Sequence, residues 1–173
     1  LSLSQLETGE KKLHSVPMDI SSFLSAIVED AKCLRQFSDH DIQLGAMSDQ
    51  WLLADPEELR SAVSNLVFNA VKYTPPACKI EVSWEVDNSN GCIVVRDEGE
   101  GIAEHHLDRL TERFYRVDSG RASTSGGTGL GLAIVKHVLQ RHGAVLNITS
   151  ELGAGSRFSC SFPRTKIIDK PVV

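Results

Sequence analysis

The chain has 173 residues, 41% of them hydrophobic and 24% charged, which suits one globular domain large enough to bury a core. A net charge of -5 without any Lys/Arg cluster argues against a nucleic-acid partner, and no apolar run approaches the ~20 residues needed to span a bilayer. No secretory signal opens the chain, and Cys33, Cys78, Cys92 and Cys160 are scattered without metal-ligand spacing, which reads as buried free thiols in a reducing compartment.

Residues 1–9 read as the end of a helix running into a loop. Phe23, Leu24, Ile27, Val28, Ala31 and Leu34 recur at helical spacing and predict a helix over 21–37, with Asp19, Ser21 or Ser22 as its cap. Residues 42–46 alternate as a strand, and 51–54 make a second short extended run. Asp55, Pro56, Glu57 and Glu58 supply a cap, a first-turn proline and early carboxylates, so a helix opens there and ends near Tyr73, before Pro75 and Pro76. Residues 79–86 and 92–96 predict an antiparallel hairpin around a turn at 87–91. A glycine-rich loop then leads into a third helix, from Ala133 to about His142, stopped at Gly143. Residues 145–149 and 157–162 finish as strands, with Gly153 and Gly155 in the turn. The fold class is α+β, in two layers: a mixed, largely antiparallel sheet with three helices on one face.

Several of these elements carry residues suited to chemistry. Gly126-Gly127-Thr128-Gly129-Leu130-Gly131-Leu132 stands before a helix, where bare backbone N–H groups and the positive end of the helix dipole suit a phosphate. On the second helix, Leu59, Ala62, Val63, Leu66, Val67 and Ala70 form the core stripe. At ~100° per residue, Asn65, Asn69 and Lys72 fall together within roughly 60° beside it. Carboxamide oxygens can enter the octahedral shell of Mg²⁺, and an ammonium can meet phosphate; a solvated helix flank is the plainer reading. Asp97, at a strand end before Gly99 and Gly101, can accept from an amino group of a base, or simply begin an Asx turn. Arg113 and Arg116 flank Phe114 and Tyr115, where they suit a transferring phosphoryl group or rest as solvated surface arginines.

In this order, the helix bearing Asn65, Asn69 and Lys72, the run Asp97-Glu98-Gly99-Glu100-Gly101-Ile102 and the glycine loop resemble the N, G1 and G2 boxes of the catalytic, ATP-binding domain of bacterial sensor histidine kinases, and the segment 110–118 resembles their F box. Among these, the phosphate-regulon sensor kinases are the most similar, and the wider kinship is with the gyrase and MutL ATPases. The resemblance implies ATP held between the helices and one side of the sheet, with Asn69 and Asn65 as magnesium ligands. It further implies that Lys72 and Tyr73 contact phosphate or ribose, that Asp97 reads adenine with Gly99, Gly101 and Ile102 around it, and that Gly127, Thr128, Gly129, Leu130, Gly131 and Leu132 cradle phosphate. Asn65, Arg113 and Arg116 carry the catalytic roles. Glu98 and Glu100 depart from the family pattern, which often has Asn and Pro there.

The resemblance also implies an organisation: residues 1–13 end a dimerisation helix and its linker, 14–163 form the catalytic domain, and 164–173 are a C-terminal tail. The parent is then a homodimer anchored at the inner membrane, with this domain in the cytoplasm and with a histidine-bearing dimerisation domain and a response regulator as partners. None of His14, His40, His105, His106, His137 and His142 stands in an acceptor-like context, so the acceptor lies elsewhere. The alternatives are a gyrase-like hydrolytic ATPase or a non-catalytic ATP-binding docking module. Hydrolytic relatives carry a glutamate base four residues before the magnesium asparagine, and here that position is Asn65. No P-loop motif is present, and no strand leads into the glycine loop as a dinucleotide fingerprint requires.

Overall fold

The computed structural model describes residues 12–33, 40–117 and 128–171. In chain order the elements are β1 (Val16–Met18), α1 (Ile20–Cys33), β2 (Asp41–Met47), β3 (Trp51–Ala54), α2 (Pro56–Tyr73), β4 (Lys79–Val86), β5 (Asn90–Asp97), a short α3 (Glu104–Leu107), α4 (Gly131–Arg141), β6 (Val145–Glu151), β7 (Gly155–Pro163) and β8 (Ile167–Ile168). The main sheet has five strands in the order β2-β4-β5-β7-β6. Only β2–β4 is parallel; the other three pairings are antiparallel.

Period-two alternation sends Ile80, Val82 and Trp84 of β4, Ile93 and Val95 of β5, and Phe158, Cys160 and Phe162 of β7 into the core. There they meet Leu59, Val63 and Leu66 of α2 and Val135, Val138 and Leu139 of α4. The opposite face of the sheet is polar: Glu81, Arg96 and Arg157 stand in one cross-strand row. Gly91 lacks a Cβ that would run into Trp84 and Ile167, so this glycine lets the hairpin close over the indole. Asp87 accepts from the backbone N–H groups of Ser89 and Asn90 at 2.6 and 2.8 Å, fixing that turn.

Three expectations need correction. The sheet is not single: β3 leaves it and pairs instead with β1 and β8 in a small antiparallel sheet, β1-β3-β8. Strand β1 escapes sequence reading because Pro17 interrupts it, a proline that an edge strand tolerates. The stretch 164–173 is not wholly a tail, because Ile167 buries its side chain and pairs with Leu52. The first helix is described over Ile20–Cys33 and opens as expected, with Asp19 accepting from the N–H of Ser22 at 3.2 Å; 34–37 fall outside the described residues. Lastly, all four cysteines are free, but only Cys160 is buried, where desolvation pushes its thiol up to about 12.

Helices α2 and α4 run antiparallel, locked at one end by a buried polar cluster. Asp55 caps α2 by accepting from the N–H groups of Glu57 and Glu58 at 3.1 and 3.2 Å, and its other oxygen accepts from the N–H of His14 at 3.0 Å. The N–H of Asp55 donates to Nε2 of His142 at 3.0 Å, so the ring proton sits on Nδ1, which donates to the carbonyl of Val138 at 2.8 Å. Glu58, fully buried, receives the Arg141 guanidinium at 3.0 Å on both oxygens.

Removing one partner of such a pair strands a buried charge. Arg141→Met should therefore destabilise the fold by about 3 kcal/mol, the low end for buried pairs because Arg141 is itself 19% exposed. Adding Glu58→Leu should recover most of that loss. Urea denaturation of the two variants checks this, and a double variant no more stable than Arg141→Met would refute it.

Candidate functional site

The start of α4, away from that cluster, meets the middle of α2 at one side chain. The Asn65 amide donates to the carbonyl of Ser61 at 2.8 Å. A carbonyl only accepts, so the amide nitrogen faces Ser61 and Oδ1 turns the other way. Oδ1 lies against the first residue of α4: a Cβ at Gly131 would stand 2.9 Å from it. Glycine leaves the Asn65 oxygen undisturbed where the helix start meets the asparagine. Among the described residues no side chain caps the N-terminus of α4, whose first N–H groups suit an anion beside a neutral amide oxygen. Asn69 and Lys72 lie half-buried one and two turns along α2, and Lys72 Nζ sits 5.1 Å from the ring centroid of exposed Tyr73.

Asp97 ends β5, paired with Ile80 of β4 and Ser156 of β7, and is only 6% exposed. Its Oδ1 accepts from the N–H of Gly99 at 2.9 Å, so the Asx turn is real and aims the carboxylate. Burial pushes the carboxyl above its ordinary range, while the N–H groups of Gly99 and Ser156 and the Thr74 hydroxyl pull it back. The missing Cβ of Gly99 leaves room for three converging oxygens: from its ideal position Tyr73 O is 2.7 Å away, Asp97 Oδ1 2.8 Å and Thr74 Oγ1 3.3 Å.

The loop after Asp97 is fastened to the β6–β7 turn. Gly101 adopts φ +72°, and a Cβ there would strike the carbonyl of Glu151; Gly155, at φ +96°, would strike that of Asp97. The N–H of Gly153 donates to Glu100 O at 2.8 Å, and that of Ile102 to Ser150 Oγ at 2.8 Å. Glu98 turns back to β4, where one carboxylate oxygen accepts from the N–H of Lys79 at 3.3 Å, while Glu100 is exposed.

Phe114 and Gly129 join the two remaining motifs. The N–H of Phe114 donates to Gly129 O at 3.0 Å, both residues have positive φ, and a Cβ at Gly129 would lie 2.7 Å from Phe114 Cα. Tyr115 Oη meets His106 Nδ1 at 2.5 Å, with the Arg109 guanidinium 4.3 Å from its ring centroid. Arg113 and Arg116 are exposed. Thr128 is exposed, Gly129, Leu130, Gly131 and Leu132 are half-buried, and Gly126 and Gly127 lie outside the described residues.

The family model for histidine kinase-, DNA gyrase B-, and HSP90-like ATPases matches residues 54–166, which holds every element of this cradle. The chain belongs to this ATPase family. The phosphate regulon sensor protein PhoR of Pseudomonas aeruginosa is 48% identical over 98% of the chain, and that of Haemophilus influenzae 38% identical over 97%. The chain spans only 38% and 39% of those relatives' lengths. Among solved structures, full-length ShkA in complex with AMPPNP superposes with TM-score 0.82 at 26% identity, over 98% of this chain and 34% of that one. The mycobacterial sensor histidine kinase MprB gives 0.74 at 27% identity, over 87% of this chain and 97% of that one. The family fold is thus present with its motifs assembled.

Four residues at this site were not legible as such. Thr74 looks like a plain helix end, and Ser150 and Ser156 like ordinary strand serines. His106 sits in Glu104-His105-His106, which reads as a solvated helix start. Only Thr74 carried any signal, by following Tyr73 directly.

Proposed function

We propose that the chain is the ATP-handling module of a sensor histidine kinase. It binds Mg-ATP and passes the γ-phosphoryl group to a histidine on a separate dimerisation domain of its parent, a membrane-anchored homodimer that signals to a response regulator. Residues 1–13 then close the dimerisation helix and linker. The observation that carries the reading is the junction of Asn65 with Gly131: it joins a neutral oxygen donor to an uncapped helix start, a combination suited to a metal-bound polyphosphate.

The donor set fits Mg²⁺. Asn65 offers its oxygen toward the helix start because its nitrogen is committed to Ser61, and Asn69 follows one turn on. Magnesium, when bound, supplies charge neutralisation on the phosphates. The protein's own part is positioning: Asp97 accepts from the base amine, Lys72 meets phosphate, and the first N–H groups of α4 hold the chain of phosphates. Asn65 cannot take a proton at neutral pH, which supports transfer over hydrolysis.

Titration calorimetry tests this. ATP should bind the chain more tightly with Mg²⁺ than in EDTA, and Asn69→Ala should remove most of that enhancement while binding in EDTA changes little. Equal losses under both conditions would point to a damaged pocket, and no ATP binding at all would overturn the reading.

A further inference from the structure

No residue from 101 to 117 is buried, so this stretch, which carries α3, Arg113 and Arg116, has no fully buried side chain to hold its place. Helix α3 is one turn long, with no side chain capping its start. Yet Phe114 sits at φ +63°, a conformation that a bulky residue rarely adopts and keeps only where neighbouring contacts hold it. One such contact is the N–H of Phe114 on Gly129 O. The other is at the next residue: Tyr115 is half-buried between exposed Phe114 and Arg116, and its hydroxyl meets His106 Nδ1 at 2.5 Å.

The Tyr115 side chain is held twice. The Arg109 guanidinium stands 4.3 Å from its ring centroid and is itself tied to Glu112 at 3.2 Å, while His106 takes the hydroxyl. A phenol donates to a bare ring nitrogen and accepts from a protonated one, so the bond exists in either tautomer. His106 belongs to α3, which follows directly on the loop of Asp97, Gly99 and Gly101, and the N–H of Ile102 fastens that loop to Ser150. Contacts thus run from this loop through His106 and Tyr115 to the corner at Phe114, and on to Gly129 just before α4. Arg113 and Arg116 flank that corner in the chain.

We infer that His106 is a positioning residue for phosphoryl transfer: by holding the Tyr115 hydroxyl it fixes the corner from which Arg113 and Arg116 act on the transferring group. This rests on the transfer reading and extends it to a histidine that stands between the motifs. Because His106 acts through Tyr115, its loss costs rate and leaves Mg-ATP affinity in place.

The test is transfer from Mg-ATP to a separate dimerisation domain that carries the acceptor histidine, with His106→Leu, His106→Asn, Tyr115→Phe and the double variant His106→Leu/Tyr115→Phe. The leucine and phenylalanine variants should each lower kcat about 5- to 10-fold, while KM for Mg-ATP stays within about twofold. His106→Asn, whose amide can stand where Nδ1 stood, should recover transfer to within about threefold of the unmodified chain. The double variant should lose no more than about twofold beyond the worse single one, since both changes break the same bond. In the chain alone, the ring nitrogen NMR signals of His106 should shift in Tyr115→Phe. Undiminished kcat in His106→Leu would overturn the proposal, as would losses that multiply in the double variant or equal losses with asparagine and leucine. Matched losses of affinity and rate, or unmoved ring signals, would do the same. If the unmodified chain transfers nothing, the kinase reading fails and the proposal with it, an outcome seen without any variant and so distinct from a failure of His106 alone.

Discussion

Replacing Asp97 with alanine should weaken ATP and ADP binding roughly 10- to 100-fold, because a hydrogen bond to a charged acceptor is worth about 1.5–3 kcal/mol. The fold should survive and even gain. Asp97 is buried, and desolvation holds its carboxyl above the ordinary range, so the folded chain binds that proton more tightly than the unfolded chain does. Stability therefore falls as pH rises from the ordinary carboxylate range through the raised value, and stays lower at neutral pH. Removing the group lifts that penalty. Binding runs with the opposite sign: only the ionised form accepts from the base, so parent affinity should drop as pH falls through the raised value. Calorimetry from pH 4 to 8 reads both effects. An Asp97→Ala variant that binds ATP like the parent, or GTP binding the parent as well as ATP does, would show that Asp97 does not read the base.

The elements that carry the site were legible because each is dictated locally. Asp55-Pro56-Glu57-Glu58 is a helix start in three signals at once, and the observed α2 runs from Pro56 to Tyr73 as that pattern and the following prolines require. Strands β4 and β5 announce themselves by alternation, and Asp97 at the end of β5 by the glycines after it. What stayed hidden is decided by contacts between distant residues. Nothing in Ile167-Ile168 says that it will pair with Trp51 and Leu52, more than a hundred residues earlier. The Asn65 carboxamide has two possible orientations in any sequence; Ser61 and Gly131 choose one. Thr74 is a further case, since only the fold brings its hydroxyl to Asp97, at the end of a distant strand.

The same contrast explains how one helix pair serves both stability and function. At one end, Glu58, Arg141, Asp55 and His142 satisfy each other and leave nothing for a ligand. At the other, among the described residues no side chain caps the N-terminus of α4, and Asp97 is buried with its carboxyl held above the ordinary range. A folded chain tolerates such groups when something else completes them, and they mark the binding end of the pair.

Arg113→Ala and Arg116→Ala should each slow phosphoryl transfer roughly 10- to 100-fold while changing Mg-ATP affinity by less than about threefold. Both arginines are exposed, whereas Asp97 is buried. An interaction made only as charge develops on the transferring group lowers the rate without lowering ground-state binding. The assay pairs the chain with a separate dimerisation domain that carries an acceptor histidine, in radiolabelled ATP with Mg²⁺. The chain alone should neither label itself nor turn over ATP at an appreciable rate, since none of its histidines stands in an acceptor context and position 65 holds no base. With the second domain present, label should collect there in an acid-labile, base-stable form, the signature of phosphohistidine. Arginine variants that lose binding and transfer in equal measure would assign these side chains to nucleotide capture. Rapid hydrolysis by the chain with no acceptor present would instead group it with the hydrolytic members of its family.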